Sequence, residues 1–256
     1  MTDSAALWSD AAEAGARGDY LAAWTILDLL VDADLRWQSL AASMRGSHLR
    51  QIGDVRAART SDTRALELAC DAESRAEALI GLAADDVADG REAAAREHLA
   101  LAVDDADRAW RTRTRLAWVT AELSLLDGAA LAAIQAGERA LSACNDHSTR
   151  HVAKSLLIVE AARGGTPSGD LVGDGVLRAV ELLRAGGWVS LQWPAALNAD
   201  DLVRAQRATP DLVSEAAEIR AEGAAAVRAI GDGLPAGLRE GWLDGPAARR
   251  LLASDG

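Results

Sequence analysis

The residues of this chain that could hold a metal or move a proton are few, and one stretch gathers most of them: Cys144-Asn145-Asp146-His147-Ser148-Thr149-Arg150-His151. Two histidines four apart on one helix can share a metal ion, because positions i and i+4 lie on the same face. Asp146 and Ser148 compete with that reading. CNDHST sits where one helical pair ends and the next begins, and both residues suit a helix N-cap. With His147 ahead of the helix the imidazole pair loses its geometry, so the sequence assigns neither metal nor cofactor. Cys70 and Cys144 lie far apart, in no metal-ligand spacing, and read as reduced, buried thiols.

The other titratable residues form no catalytic constellation. His48 and His98 stand alone on helices and read as surface or packing residues. Asp85-Asp86, Asp104-Asp105 and Asp200-Asp201 are sequence neighbours, and neighbours on a helix point about 100° apart. Such pairs read as solvated faces or caps rather than as an acid and its base. SGDLVGDG at 168–175 has three glycines but no strand before it, which argues against a phosphate cradle. There is no GxxxxGK[ST], HRD or DFG string. The chain does not read as an enzyme.

The elements that must position these side chains are helices. Ala supplies 58 of 256 residues, Phe is absent and Tyr occurs once, so helix formers dominate and strand formers are scarce. Gly18, Gly53, Gly90 and Gly128 recur at steps of 35, 37 and 38 residues, each between two apolar helical stretches. Glycine suits the left-handed turn between antiparallel helices. Seven residues before these glycines lie Ala11, Gly46, Ala83 and Ala121. Five after them lie Ala23, Ala58, Ala95 and Ala133, and twelve after them Leu30, Ala65, Ala102 and Ala140. Small side chains at fixed offsets let helices of one hairpin and the next approach closely.

This A-x6-G-x4-A-x6-L/A pattern, with Tyr20 in RGDYLAAW, resembles the tetratricopeptide repeat over residues 5–145. The resemblance implies an all-α fold: an α-solenoid of antiparallel helical hairpins in a right-handed superhelix. Repeats are expected at 5–36, 38–71, 75–108, 112–145, 148–186 and 187–232, with Thr209 capping a helix that starts at Pro210, and a C-terminal capping helix at 235–253. The pattern LP-x-x-LR-x-x-(large apolar)-L-x-x-P-x-x-R-x-LL, Leu234 to Leu252, is similar to the closing helix of such arrays in bacterial signalling ATPases and kinases.

In that family the first helices line a concave groove. The resemblance therefore implies a peptide-binding groove containing Ser43, Ser47, Arg50 and Gln51, then Arg115, Trp118 and Glu122, then His151 and Lys154. Trp118 would anchor an apolar side chain or pack against the next repeat. Trp24, Trp37, Trp110 and Trp242 are expected to fill gaps between hairpins. The two-carboxylate clamp of chaperone-binding members needs Lys and Asn one turn apart. Trp8 and Ala12, then Ser43 and Ser47, occupy those places, so chaperone C-termini are not expected ligands.

The net charge of −12 repels phosphate backbones and anionic lipid, so neither nucleic acid nor membrane is an expected partner. No apolar run approaches the roughly 20 residues a membrane helix needs, and the N-terminus lacks a basic and an apolar leader segment. A cytoplasmic location is expected. Ala-rich faces and Trp side chains could also form a homodimer interface. The function these features imply is a non-enzymatic scaffold or adaptor that binds a protein or peptide. The alternative is a regulatory sensor that binds a signalling peptide or small ligand and controls a kinase, ATPase or transcription factor.

Overall fold

The structure, a computed structural model, describes residues 3–253. Met1 and Thr2 of the N-terminal stretch lie outside the described residues. The described chain is all-helical: α1 (Ser4–Ala16), α2 (Tyr20–Asp28), α3 (Leu35–Gln51), α4 (Val55–Leu68), α5 (Ala72–Ala88), α6 (Glu92–Ala106), α7 (Trp110–Leu126), α8 (Ala130–Cys144), α9 (Thr149–Gly164), α10 (Asp174–Gly186), α11 (Gln192–Arg204), α12 (Pro210–Gly233), α13 (Ala236–Leu243) and α14 (Pro246–Leu252). A 3-10 turn, Val189–Leu191, precedes α11. The one extended contact is an isolated bridge between Val172 and Ala208.

Helix starts follow from side-chain chemistry. The carboxylates of Asp3, Asp19 and Asp54 accept backbone N–H groups in the first turns of α1, α2 and α4. Asp71 and Ser74 form a reciprocal capping box on α5. Ser148 caps α9, and Thr209 caps α12 with Pro210 following it.

Gly18, Gly53, Gly90 and Gly128 occupy equivalent bends, with φ of 81°, 87°, 67° and 70°. At each, the glycine N–H donates to the carbonyl three residues back and the next N–H to the carbonyl five back, as in Asp54 to Leu49 and Ala129 to Ser124. This is the hydrogen-bonding of a Schellman cap, which needs a left-handed residue. The sixth hairpin repeats it with Gln206 at φ 56°, the only described non-glycine with positive φ. All twelve fixed-offset positions are buried, eleven of them small and the twelfth Leu30, and Ala11, Ala23, Ala58, Ala65, Ala83, Ala95, Ala102, Ala121, Ala133 and Ala140 are fully so.

Odd and even helices pair in order, α3 with α4, α5 with α6, α7 with α8, α9 with α10 and α11 with α12. Successive first helices also touch, α1 with α3, α3 with α5, α5 with α7, α7 with α9 and α9 with α11. The row then returns on itself. The 3-10 turn contacts α1, and α12 contacts α2. One core cluster accordingly joins Tyr20, Trp24, Leu27 and Leu30 to Leu191, Ile219, Ile230 and Trp242. At Gly18 a Cβ would fall 2.9 Å from Ile230 Cγ1, so the first bend is pressed against α12.

The capping segment expected at 235–253 is two short helices, α13 and α14, interrupted where the sequence places a break. Gly245-Pro246 breaks it, because proline cannot donate to the preceding turn and starts α14 instead. Among the described residues no helix is long and apolar enough to cross a membrane.

Candidate functional site

The odd helices and the 3-10 turn together surround a cavity of about 540 Å³, and no even helix contributes to its wall. Trp8 comes from α1, Ser47, His48, Arg50 and Gln51 from α3, Glu77 from α5, and Arg111, Arg115, Trp118 and Glu122 from α7. Arg150, His151 and Lys154 come from α9, Ser190 from the 3-10 turn and Trp193 from α11. Leu40, Met44, Leu157 and Leu191 supply apolar wall.

Of the nine groove residues expected from sequence, the structure brings eight to this wall: Ser47, Arg50, Gln51, Arg115, Trp118, Glu122, His151 and Lys154. Ser43 is not among them. It is 2% exposed and its Oγ has no hydrogen-bond partner, so it belongs to the packing behind the wall. Sequence reasoning missed His48, Glu77, Arg111, Arg150 and Ser190, while Trp8, at a clamp position in the sequence, joins Trp193 on this wall. Trp193 and Ser190 face the same space as Trp8 only because the two ends of the chain meet.

Trp118 is a fixed part of the wall rather than an open anchor, being only 6% exposed. His151 stacks on it at 5.1 Å between ring centroids, Lys154 Nζ lies 4.4 Å from its centroid, and its Nε1–H donates to Ser155 Oγ at 2.8 Å. Trp24 and Trp242 are buried as expected. Trp37 packs partly buried against the main core, while Trp110 instead stacks on His147 and meets His151 edge-on, both at 5.0 Å. His151 Nδ1 also hydrogen-bonds Ser148 Oγ at 2.8 Å. Cys144 Sγ lies 3.7 Å from Ser155 Oγ. Among the described residues no three His, Cys, Asp or Glu side chains come together as a metal site.

The cavity wall is cationic in a chain that is acidic outside. Arg50, Arg111, Arg115, Arg150 and Lys154 line it against two carboxylates, Glu77 and Glu122. Arg111 Nε donates to Glu77 Oε1 at 3.2 Å, and Arg115 is ion-paired to the other oxygen of Glu77. Lys154 Nζ lies 3.5 Å from Glu122. Burial lowers Arg111, Arg115 and Arg150 to about 10, so all three stay charged at neutral pH. Burial, and then the surrounding arginines, lower His48 to about 3 and His151 to about 2. Both imidazoles are therefore neutral at physiological pH.

Arg50 is anchored from behind. Its Nη1 donates to Asp62 Oδ2 and to Asp85 Oδ1, both at 3.0 Å. Asp62 and Asp85 are fully buried, and burial raises the pKa of each. The charge of Asp85 raises Asp62 further, and Arg50 opposes the rise. Asp86, also buried, takes Arg59, Arg91 and, at 2.7 Å, His98 Nδ1. The expectation that Asp85-Asp86 is a solvated face is thus wrong: both acids are buried, and arginines invisible as partners in sequence pair with them. His48 is a packing residue, tilted over Tyr20 at 5.0 Å.

No protein-family model matches the chain, and no curated protein matches it in sequence.

Proposed function

We propose that this chain is a non-enzymatic binding protein, a tetratricopeptide-like α-solenoid whose inner wall captures an acidic peptide or a peptide segment of a partner protein. The observation that carries this reading is that six first helices, joined by the 3-10 turn and by no second helix, surround one cavity. A preformed wall of that kind limits the ordering cost of binding an extended ligand. The wall combines aromatic and aliphatic surface with a few placed cations, as peptide and small-molecule sites do. The two cavity histidines argue for binding over chemistry, because imidazoles with pKa near 2 or 3 accept protons poorly at neutral pH.

A second reading, a sensor, is favoured by contacts that tie the cavity wall to the 3-10 turn and to α13. Arg150 Nη2 donates to Ser190 Oγ at 3.4 Å, and Trp193 of the wall packs edge-on against Trp242 of α13 at 5.7 Å. A ligand in the cavity would therefore touch the element on which α13 is seated.

Selection of a random peptide library on the full chain tests the binding reading. Ser47→Trp, which fills the cavity, should abolish capture of the selected peptides while circular dichroism stays helical. Leu131→Ala, on the outer surface of α8, should leave capture intact. Capture that survives Ser47→Trp and disappears with Leu131→Ala would place the binding surface outside.

A further inference from the structure

We infer that the cavity takes a phosphate monoester carried on an apolar body, with the dianionic head seated against Arg111 and Arg150. This rests on the reading of the cavity as a binding site and names the chemistry of its ligand.

The charges of the wall do not balance. Arg50 is satisfied by the Asp62–Asp85 pair behind it. Lys154 faces Glu122. Glu77 serves two guanidinium groups, Arg111 and Arg115. Glu73, the other acid acting on Arg111, lies outside the wall and shares Arg36 with Asp71. Among the described residues Arg150 has no carboxylate within ion-pair distance, only the long contact to Ser190; Glu13, which acts on it from farther away, is paired to Arg17. On the wall itself the cations outnumber the carboxylates, and Arg111 and Arg150 repel one another. Unpaired charge in a partly desolvated wall is destabilising, so its retention points to an anion.

Hydrogen-bond donors are left over on the same wall. Arg150 Nε, Trp8 Nε1 and Trp193 Nε1 are buried without an acceptor, and all three side chains line the cavity. His48, 5% exposed, also lines it and has an unpartnered Nδ1. Phosphate carries close to two negative charges and three terminal acceptor oxygens on one centre. A carboxylate brings one charge and would leave one guanidinium unmatched. A dicarboxylate spreads its charge over two centres, whereas Arg111 and Arg150 act on one region of the wall, both depressing His48 and His151. Leu40, Met44, Leu157 and Leu191 provide for the apolar body. The volume falls within the range of roughly 300–1,000 Å³ that accommodates such ligands.

Calorimetric titration of the full chain at fixed ionic strength with phenyl phosphate, phthalate and benzoate tests this. Phenyl phosphate should bind at least about tenfold more tightly than either carboxylate. Arg150→Gln should weaken phenyl phosphate about tenfold or more, yet raise the melting temperature of the ligand-free protein by removing an unpaired buried charge. Arg184→Gln, on the outer surface among Glu215, Glu218 and Glu222, should leave affinity unchanged. A phosphotyrosine tetrapeptide identifies the carrier: tighter binding than phenyl phosphate makes it a peptide, weaker binding a small molecule, and either supports the inference. Equal affinity for phosphate and carboxylates, indifference to Arg150→Gln, or no binding of phenyl phosphate overturns it. If phosphate-free peptides bind and Ser47→Trp blocks them while phenyl phosphate does not bind, only the phosphate inference falls. If Ser47→Trp leaves peptide capture intact, the cavity reading falls as well.

Discussion

The carboxyl of Asp62 in α4 occupies the space a side chain on Gly81 in α5 would need: a Cβ at Gly81 would stand 2.4 Å from Asp62 Oδ1. Gly46 in α3 yields to the same carboxyl, with a Cβ there 2.6 Å from Oδ2. Three helices thus converge on one buried acid, which holds Arg50 at the cavity wall. Gly81→Ala should cost roughly 2–3 kcal/mol in urea unfolding, an overpacking penalty. Gly53→Ala, at φ 87° with open space around it, should cost only about 1–2 kcal/mol from backbone strain. Equal costs at the two sites would mean that the Asp62 pocket is not tightly packed.

Asp62 makes stability depend on pH in a direction opposite to the usual carboxylate. Burial raises its pKa from 3.8 to about 8. The folded state therefore holds a proton that the unfolded chain releases. Its contribution is full below the unfolded pKa and is lost as pH rises through about 8. Asp62→Asn should melt higher than the parent at pH 8.5 and lose that advantage near pH 5.

His151 acts at the acid end. Its pKa falls from 6.5 to about 2, so the unfolded chain binds a proton the folded chain refuses. Its contribution is present above pH 6.5 and is lost as pH falls toward 2. At pH 5 the loss is about 2 kcal/mol. His151→Gln should melt with a shallower decline between pH 6.5 and 4.5, and an unchanged slope would contradict the buried neutral imidazole.

Gln206 carries a correctable strain. It is exposed, has φ 56° and fills the place that glycine holds in the first four hairpins. Gln206→Gly should stabilise by about 0.5–1 kcal/mol, a rise in melting temperature of roughly 2 °C, because the left-handed penalty outweighs the added freedom of the unfolded chain.

Trp118→Phe keeps a ring for His151 and Lys154 but leaves Ser155 without its indole donor. A loss of about 1 kcal/mol is expected, readable by thermal melting. Ser155 retains its own hydrogen bond to the His151 carbonyl, which sets the ceiling on the effect.

The hairpin pattern was legible because its determinants are local. A left-handed bend advertises itself as glycine, and close helix approach as alanine at a fixed offset. Most of the expected groove residues could be placed because a periodic element puts equivalent positions on equivalent faces. What escaped depended on tertiary partners. Asp62, Asp85 and Asp86 look like ordinary exposed helix acids until Arg50, Arg59 and Arg91 are seen beside them. Gln206 hid the sixth bend because glutamine carries no turn signal. Ser43, one turn before Ser47, was misassigned because a single turn separates the cavity wall from the packing behind it. Trp8, Arg150 and Trp193 share a wall only through the return of α11 and α12 to α1 and α2, which no periodicity encodes.

That return has a consequence for how the molecule comes apart. A row of hairpins that touch only their neighbours along the chain can fray from either end, one unit at a time. Here the contacts of α1 with the 3-10 turn and of α2 with α12 close the row. Loss of the first hairpin strips α12 of its neighbour, and loss of α12 strips the first hairpin. Unzipping thus has no cheap starting point, and the circuit should open in a single all-or-none step, with hydrogen-exchange protection as strong in α1 and α12 as in α5 and α7 between them.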